Sequence, residues 1–279
     1  MRQYTRQELL ARLRARLDSG HIIVAAGAGT GISAKFEEAG GADLLLVFNS
    51  GLYRMHGLGS LSGLLAYGDA NAIALEMGER YILPVVKDVP VICSVNGTDP
   101  TRVMRAHLRR IMDAGFSGVN NFPTVGLIDG NFRATLEKTG MGYYKEAEMI
   151  ALAHEQGSFT MAYAFNAAEA RLMAQAGCDL LLAHVGLTAG GSVGAEETMT
   201  LEQAAALVDE MQTAARAVRP DILTLCHGGP IVTPEDVERL LTLTAVAGFV
   251  GASSMERLPV ERGITETTRR FASIRLPGR

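Results

Sequence analysis

Two histidines, His184 and His227, each close a short apolar run, and among the six histidines of the chain they are the strongest candidates for acid–base work or metal binding. With Glu256 they would make a two-histidine, one-carboxylate metal set, although no H-x-H or H-x-x-E spacing supports one. Asp99 and Asp129 are the alternative hard ligands, both in segments where an aspartate more often caps a turn or faces water. Three amides also follow apolar runs, Asn49, Asn96 and Asn121, and could orient a carboxylate or an enolate. Gly228 and Gly229, with Ala252, Ser253 and Ser254, bring backbone N–H groups that suit an anion; Arg257 could add a charged fork or pair with Glu256 or Glu261. Gly27 and Gly29 sit in Gly27–Ala28–Gly29–Thr30–Gly31, where a dinucleotide motif would need a third glycine at Ile32, so that motif fails. These glycines either let backbone approach a ligand or only make a turn.

Other chemistries are disfavoured. The four lysines, Lys35, Lys87, Lys138 and Lys145, lie outside the apolar runs and their ends, against a Schiff-base enzyme. Cys226 adjoins His227, but neighbours in a strand face opposite ways, and the thiol reads as core.

The elements that must position these residues are read from punctuation. Eight continuous apolar runs, Ile22–Ala26, Asp43–Phe48, Val91–Val95, Gly118–Phe122, Phe159–Ala164, Asp179–Ala183, Ile222–Cys226 and Gly248–Gly251, have the character of parallel strands buried on both faces. Helical segments alternate with them: Ala34–Ala39, Ala70–Met77, Arg102–Ala114, Tyr143–Gln156, Ala167–Ala176, Leu201–Val218, Pro234–Leu243 and Arg262–Ile274. Several stop at a glycine, as at Gly115, Gly157 and Gly177. The pattern predicts an α/β fold, a (β/α)8 TIM barrel, in one domain over 1–279, and puts the candidates above at the carboxyl ends of its strands. An additional N-terminal helix within 1–20, capped by Thr5 and Glu8 with Leu9, Leu10, Leu13 and Leu17 on one face, is expected to close the bottom. Two glycine-rich connections, 49–69 and 123–142, are long enough to cover the mouth or else pack as plain loops.

Composition narrows the partners. The chain has 279 residues, 48% of them hydrophobic, with 26 basic and 30 acidic side chains, which excludes a disordered chain and leaves no basic stripe for nucleic acid. No apolar run approaches the roughly 20 residues of a membrane helix. Three cysteines, Cys93, Cys178 and Cys226, lie within apolar runs, as reduced thiols of a cytoplasmic protein would.

Together, the runs Ala26–Lys35, Leu45–Arg54, Gly118–Thr124, Cys226–Pro230 and Gly251–Arg257 resemble the phosphoenolpyruvate hydrolase-like family, also called the TIM-barrel signal transduction family, over about residues 20 to 276. The resemblance implies a phosphoenolpyruvate- or phosphonopyruvate-type substrate, through the related phosphoenolpyruvate mutase and isocitrate lyase barrels. Those enzymes hold Mg2+ with acidic residues at central strand ends, where this chain has Ser94–Val95–Asn96–Gly97 and Asn120–Asn121. The expectation is therefore a homo-oligomeric barrel that binds a small anionic 2-oxo acid or enol phosphate and acts as a lyase or hydrolase, its cofactor open between none and a divalent metal (Mg2+ or Zn2+). A metabolite sensor without catalysis is the alternative.

Overall fold

The computed structural model describes residues 1–277. In chain order the elements are α1 (Arg6–Asp18), β1 (Ile23–Gly27), α2 (Gly31–Ala39), β2 (Leu44–Val47), α3 (Asn49–Met55), α4 (Ala70–Met77), β3 (Val91–Ser94), α5 (Met104–Asp113), β4 (Gly118–Asn120), α6 (Gly130–Lys138), α7 (Tyr143–Glu155), β5 (Phe159–Ala164), α8 (Ala167–Gln175), β6 (Leu180–His184), α9 (Leu201–Arg216), β7 (Leu223–His227), α10 (Pro234–Leu241), β8 (Gly248–Gly251) and α11 (Leu258–Ala272). The eight strands are all parallel and close into a barrel, β1 pairing with both β2 and β8.

Each apolar run is buried on both faces, which is why it does not alternate. Leu44 and Leu46 turn into the barrel with Ile23, Ile92, Phe159, Leu180, Leu182 and Val250. Leu45 and Val47 turn outward, against the helices, with Cys93, Val119 and Leu181. Leu9 and Leu13 of α1 are fully buried in the inner cluster. Arg6 of α1 also bonds Asp179 at the amino-terminal end of β6, at 2.7 and 2.9 Å.

The structure shifts several boundaries. β1, β6 and β7 each start and end one residue later than the pattern predicts, so His184 and His227 are the last residues of their strands. α2 starts at Gly31 because Thr30 accepts the Ser33 N–H and caps it. The last helix runs Leu258–Ala272, continuing a π-type turn at Ser253–Arg257. The connections 49–69 and 123–142 are not plain loops. They hold α3, a 3-10 turn at Ser60–Leu64, a second at Val125–Leu127, and α6. α3 has no capping side chain and only seven residues, so it leaves no signature of its own in the sequence. The longest irregular crossing, residues 185–200, follows β6.

Candidate active site

At the carboxyl ends of the strands the barrel holds a small cavity of about 60 Å3. Its wall is Phe48, Ser50, Arg54, Phe122, Tyr163, His184, His227, Ala252 and Ser253. The roof comes from three connections: Ser60 and Leu61 after β2, Leu127 after β4, and Leu187 and Thr188 after β6. The volume lies far below the roughly 300–1,000 Å3 of pockets for drug-sized ligands and suits a small molecule of a few heavy atoms.

His184 and His227 are paired in register at the ends of β6 and β7, their ring centroids 4.7 Å apart. Tyr163 packs edge-on to both, and the rings of Phe48 and Phe122 join it. The hydrogen bonds assign opposite tautomers. His184 Nδ1 accepts the Gly186 N–H at 3.1 Å, so its proton is on Nε2. His227 Nδ1 lies 2.7 Å from the Val250 carbonyl, which can only accept, so that nitrogen carries the proton and Nε2 holds a lone pair. Burial pushes His227 down to about 4, reinforced by the Arg54 charge and opposed by its bond to Val250. Burial, with His227 next, holds His184 well below the ordinary imidazole range. Near neutral pH the cavity thus faces one neutral donor and one neutral acceptor.

Arg54 is the charged group of the wall, and the sequence reading did not single it out. It is buried with Glu256, to which it donates from Nε at 2.9 Å and Nη2 at 2.5 Å. Glu256 also accepts the Gly29 N–H at 2.8 Å, so its carboxylate is fully committed. Arg54 Nη1 has no partner among the described residues. The turn at Ser253 begins the long helical run into α11, so its first N–H groups have no intrahelical acceptor, and Ala252 and Ser253 line the cavity.

Of the predicted site residues, the cavity takes His184, His227, Ala252 and Ser253. The others do different work. Asn121 turns outward, its Nδ2 donating to Glu146 at 2.6 Å and its Oδ1 accepting the Tyr163 N–H at 2.7 Å, so it cannot orient a ligand. Asn49 donates to the Gly63 carbonyl at 2.8 Å and holds the roof turn. Asn96 is tied to Asn71 and Thr98. Gly229 donates its N–H to Gly186 at 2.9 Å, and a Cβ on Gly228 would meet the Gly186 carbonyl at 2.1 Å. With φ of +84° and +56°, this glycine pair clasps the turn after β6 instead of cradling an anion. Gly27 and Gly29 permit close packing: a Cβ would meet Phe48 at 2.9 Å and the Gly51 carbonyl at 2.4 Å respectively. Arg257 binds Glu261 at 2.9 Å and the Gly190 carbonyl at 3.0 Å, anchoring the 185–200 crossing, and Ser254 is not in the wall.

The residues the pattern missed are Asn120 and Ser94. They face each other in register on β4 and β3, one residue before Asn121 and two before Asn96, the amides expected to act. Outward neighbours Cys93, Val95 and Val119 place both side chains inward by strand alternation. Asn120 Nδ2 and Oδ1 and Ser94 Oγ are buried with no hydrogen-bond partner. An unsatisfied buried polar group costs about 1–3 kcal/mol, so the pair calls for an explanation.

A metal does not fit these donors. Among the described residues no group of three or more His, Cys, Asp or Glu is placed to hold an ion. Glu256 is locked by Arg54, Asp99 bonds Asn71 and Thr101, and Asp129 stands at the start of α6. Glu256, Asp99 and Asp129 are the metal candidates that the sequence offers. Mg2+ asks for carboxylate oxygens, and the inward pair Ser94 and Asn120 offers a hydroxyl and an amide.

Comparison with known proteins agrees with this architecture. Two tomato (Solanum lycopersicum) proteins, the ToMV susceptible protein tm-1(GCR26) and the ToMV resistance protein Tm-1(GCR237), are 54% and 53% identical over 95% and 96% of this chain. A putative transcriptional regulatory protein of Sinorhizobium fredii, y4pA, is 37% identical over 97% of it. The chain spans only 35%, 36% and 44% of those proteins. Among solved structures, phosphonopyruvate hydrolase in complex with oxalate and Mg2+ superposes with a TM-score of 0.62 at 17% identity, covering 96% of this chain and 89% of that one. 2,3-Dimethylmalate lyase, a member of the PEP mutase/isocitrate lyase superfamily, gives 0.60 at 17%, covering 100% and 91%. At such identities the likeness is one of fold. A family model matches residues 8–274 end to end, and the chain belongs to the phosphoenolpyruvate hydrolase-like family.

Proposed function

We propose that this barrel binds a small 2-oxo acid or the corresponding enol and moves a proton at the carbon beside its carbonyl, as the opening step of lyase or hydrolase chemistry. The observation that carries the reading is the pair of oppositely protonated, neutral histidines on one small cavity. Arg54 Nη1 and the N–H groups at Ser253 hold the ligand's carboxylate. His227 Nε2 takes the proton as the C–H bond breaks. The electron pair passes into an enolate whose oxygen accepts the His184 Nε2–H. Phe48, Phe122 and Tyr163 keep water from the carbanion, and Tyr163 stays a phenol because burial raises it. The family's description and solved structures named for hydrolase and lyase activities support the class of ligand, and the neighbour with bound oxalate supports its size and charge.

The test is exchange of pyruvate methyl protons for solvent deuterium, followed by NMR. The wild type is expected to catalyse the exchange, and His227→Gln to lose it. A protein that binds 2-oxo acids yet exchanges nothing has the alternative role of metabolite sensor. That second reading is favoured by relatives more than twice this chain's length, one of them named as a putative transcriptional regulator.

Self-association belongs to the same reading. Beyond Leu258, helix α11 buries nothing, and Val260, Ile264 and Phe271 with the following Ile274 form an exposed apolar stripe at helical spacing. We expect a second copy to cover it.

A further inference from the structure

The inward pair Ser94 and Asn120 has no role in the chemistry above, and a barrel interior does not retain three unpartnered polar atoms without a use for them. Both side chains are essentially unexposed, at 1% and 0%. They are neighbours across the β3–β4 ladder. Phe122, two residues beyond Asn120, lines the cavity and packs against Phe48 and Tyr163, which line it too. We propose that Ser94 and Asn120 are the floor of the ligand site, reached when the Phe122 ring swings aside, and that they bind the ligand's oxygen atoms directly, with no divalent cation between.

The chemistry of the donors argues for this. Asn120 Nδ2 and Ser94 Oγ offer neutral N–H and O–H donors to a carboxylate or enolate oxygen, and Asn120 Oδ1 accepts from an enol or hydroxyl. A cation would find an amide and a hydroxyl, while the nearby carboxylates are taken: Glu146 by Asn121 and the Val125 N–H, Glu256 by Arg54 and Gly29. An anion also meets donors without a metal, from Arg54 Nη1 and the N–H groups of the Ser253 helix terminus. The proposal rests on the reading that the mouth binds a small anion.

Oxalate is the probe, titrated calorimetrically into the protein with EDTA and again with millimolar MgCl2, alongside MgCl2 alone. The expected Kd for oxalate is the same within about twofold in both buffers. Asn120→Leu should weaken it at least tenfold and Ser94→Ala at least threefold, and the ligand-free melting temperature of both variants should hold or rise as orphaned groups leave the core. The proposal is overturned if oxalate binds only with Mg2+, or if Mg2+ alone titrates saturably into the wild type and not into Asn120→Leu. Unchanged oxalate affinity in both variants, with a lower melting temperature, also overturns it, since the pair is then a hydrated structural one. Should oxalate fail to bind the wild type in either buffer, the small-anion reading fails instead. The melting temperatures then decide the floor: a rise in both variants supports groups kept for a ligand, and a fall refutes them. If Asn120→Leu does not fold, Asn120→Ser takes its place in every arm.

Discussion

His227 and His184 differ by one hydrogen bond each, and that difference sets separate tests for them. His227→Gln removes the lone pair that takes the proton and is expected to lower turnover of a 2-oxo acid by about 10²–10⁴-fold while leaving oxalate affinity within a few-fold. His184→Gln keeps an N–H donor near the enolate oxygen and should cost less. Steady-state kinetics and calorimetry on the same preparations separate the two, and full activity in both variants removes the pair from the mechanism. Arg54 makes a harsher test. Its removal strands Glu256 in the interior, so Arg54→Met should destabilise the fold by roughly 3–5 kcal/mol, read from urea midpoints, as expected for a broken buried ion pair. The double change Arg54→Met with Glu256→Gln should recover a good part of that loss and still fail to bind oxalate.

Among the elements, the connection after β2 is one of the three that roof the cavity. Ser60 and Leu61 reach the roof through the 3-10 turn at Ser60–Leu64, which Asn49 grips by the Gly63 carbonyl. Gly63 lies flat on Ser50: a Cβ there would meet the Ser50 Cα at 2.9 Å. Gly63→Ala should therefore lift the turn. Limited proteolysis is expected to cut within residues 52–68 faster in the variant than in the wild type, and oxalate should slow cleavage of the wild type more than of the variant. Equal cleavage with and without oxalate would show the turn to be fixed structure. Helix α11 presents the other elemental test. Ile264→Glu and Phe271→Glu place charges in its exposed stripe, so sedimentation should report smaller species than for the wild type; no change would clear that face of any role in association.

For the molecule as a whole, buried titratable groups pull stability in opposite directions with pH. Glu146, which burial pushes up to about 8 from an ordinary 4.5, keeps its proton in the native state while the unfolded chain releases it. Stability from this group is thus full below about pH 4.5 and is lost as pH rises through 8. His227, pushed down to about 4, works the other way: between pH 6.5 and 4 the unfolded chain takes up the proton first, and stability falls with acid. In urea denaturation, Glu146→Gln should gain on the wild type steadily from pH 4.5 to 8 and then level off. A difference independent of pH would mean that Glu146 is ionised in the native protein. Oxalate binding should tighten from pH 8 to 5, because an anion raises the depressed histidines and draws in a proton.

The eight apolar runs determine the barrel from sequence alone, because a strand buried on both faces must be apolar at every position and a parallel neighbour requires a returning helix. Leu44–Val47 and Leu180–His184 carry that message without ambiguity, and the same runs bring His184 and His227 to the mouth. What they do not carry is which of two adjacent residues faces in. A run such as Gly118–Val119–Asn120–Asn121 has no alternation to read, so Asn121 and Asn120 look equivalent; the β3–β4 register turns Asn120 inward and gives Asn121 to Glu146 on α7. The partners of charge are equally silent. Arg54 and Glu256 stand 202 positions apart, and only closure of the barrel between β1 and β8 brings them together. Chain order states which residues can be at the mouth. The pairing of strand ends across the closed sheet decides which of them a ligand meets.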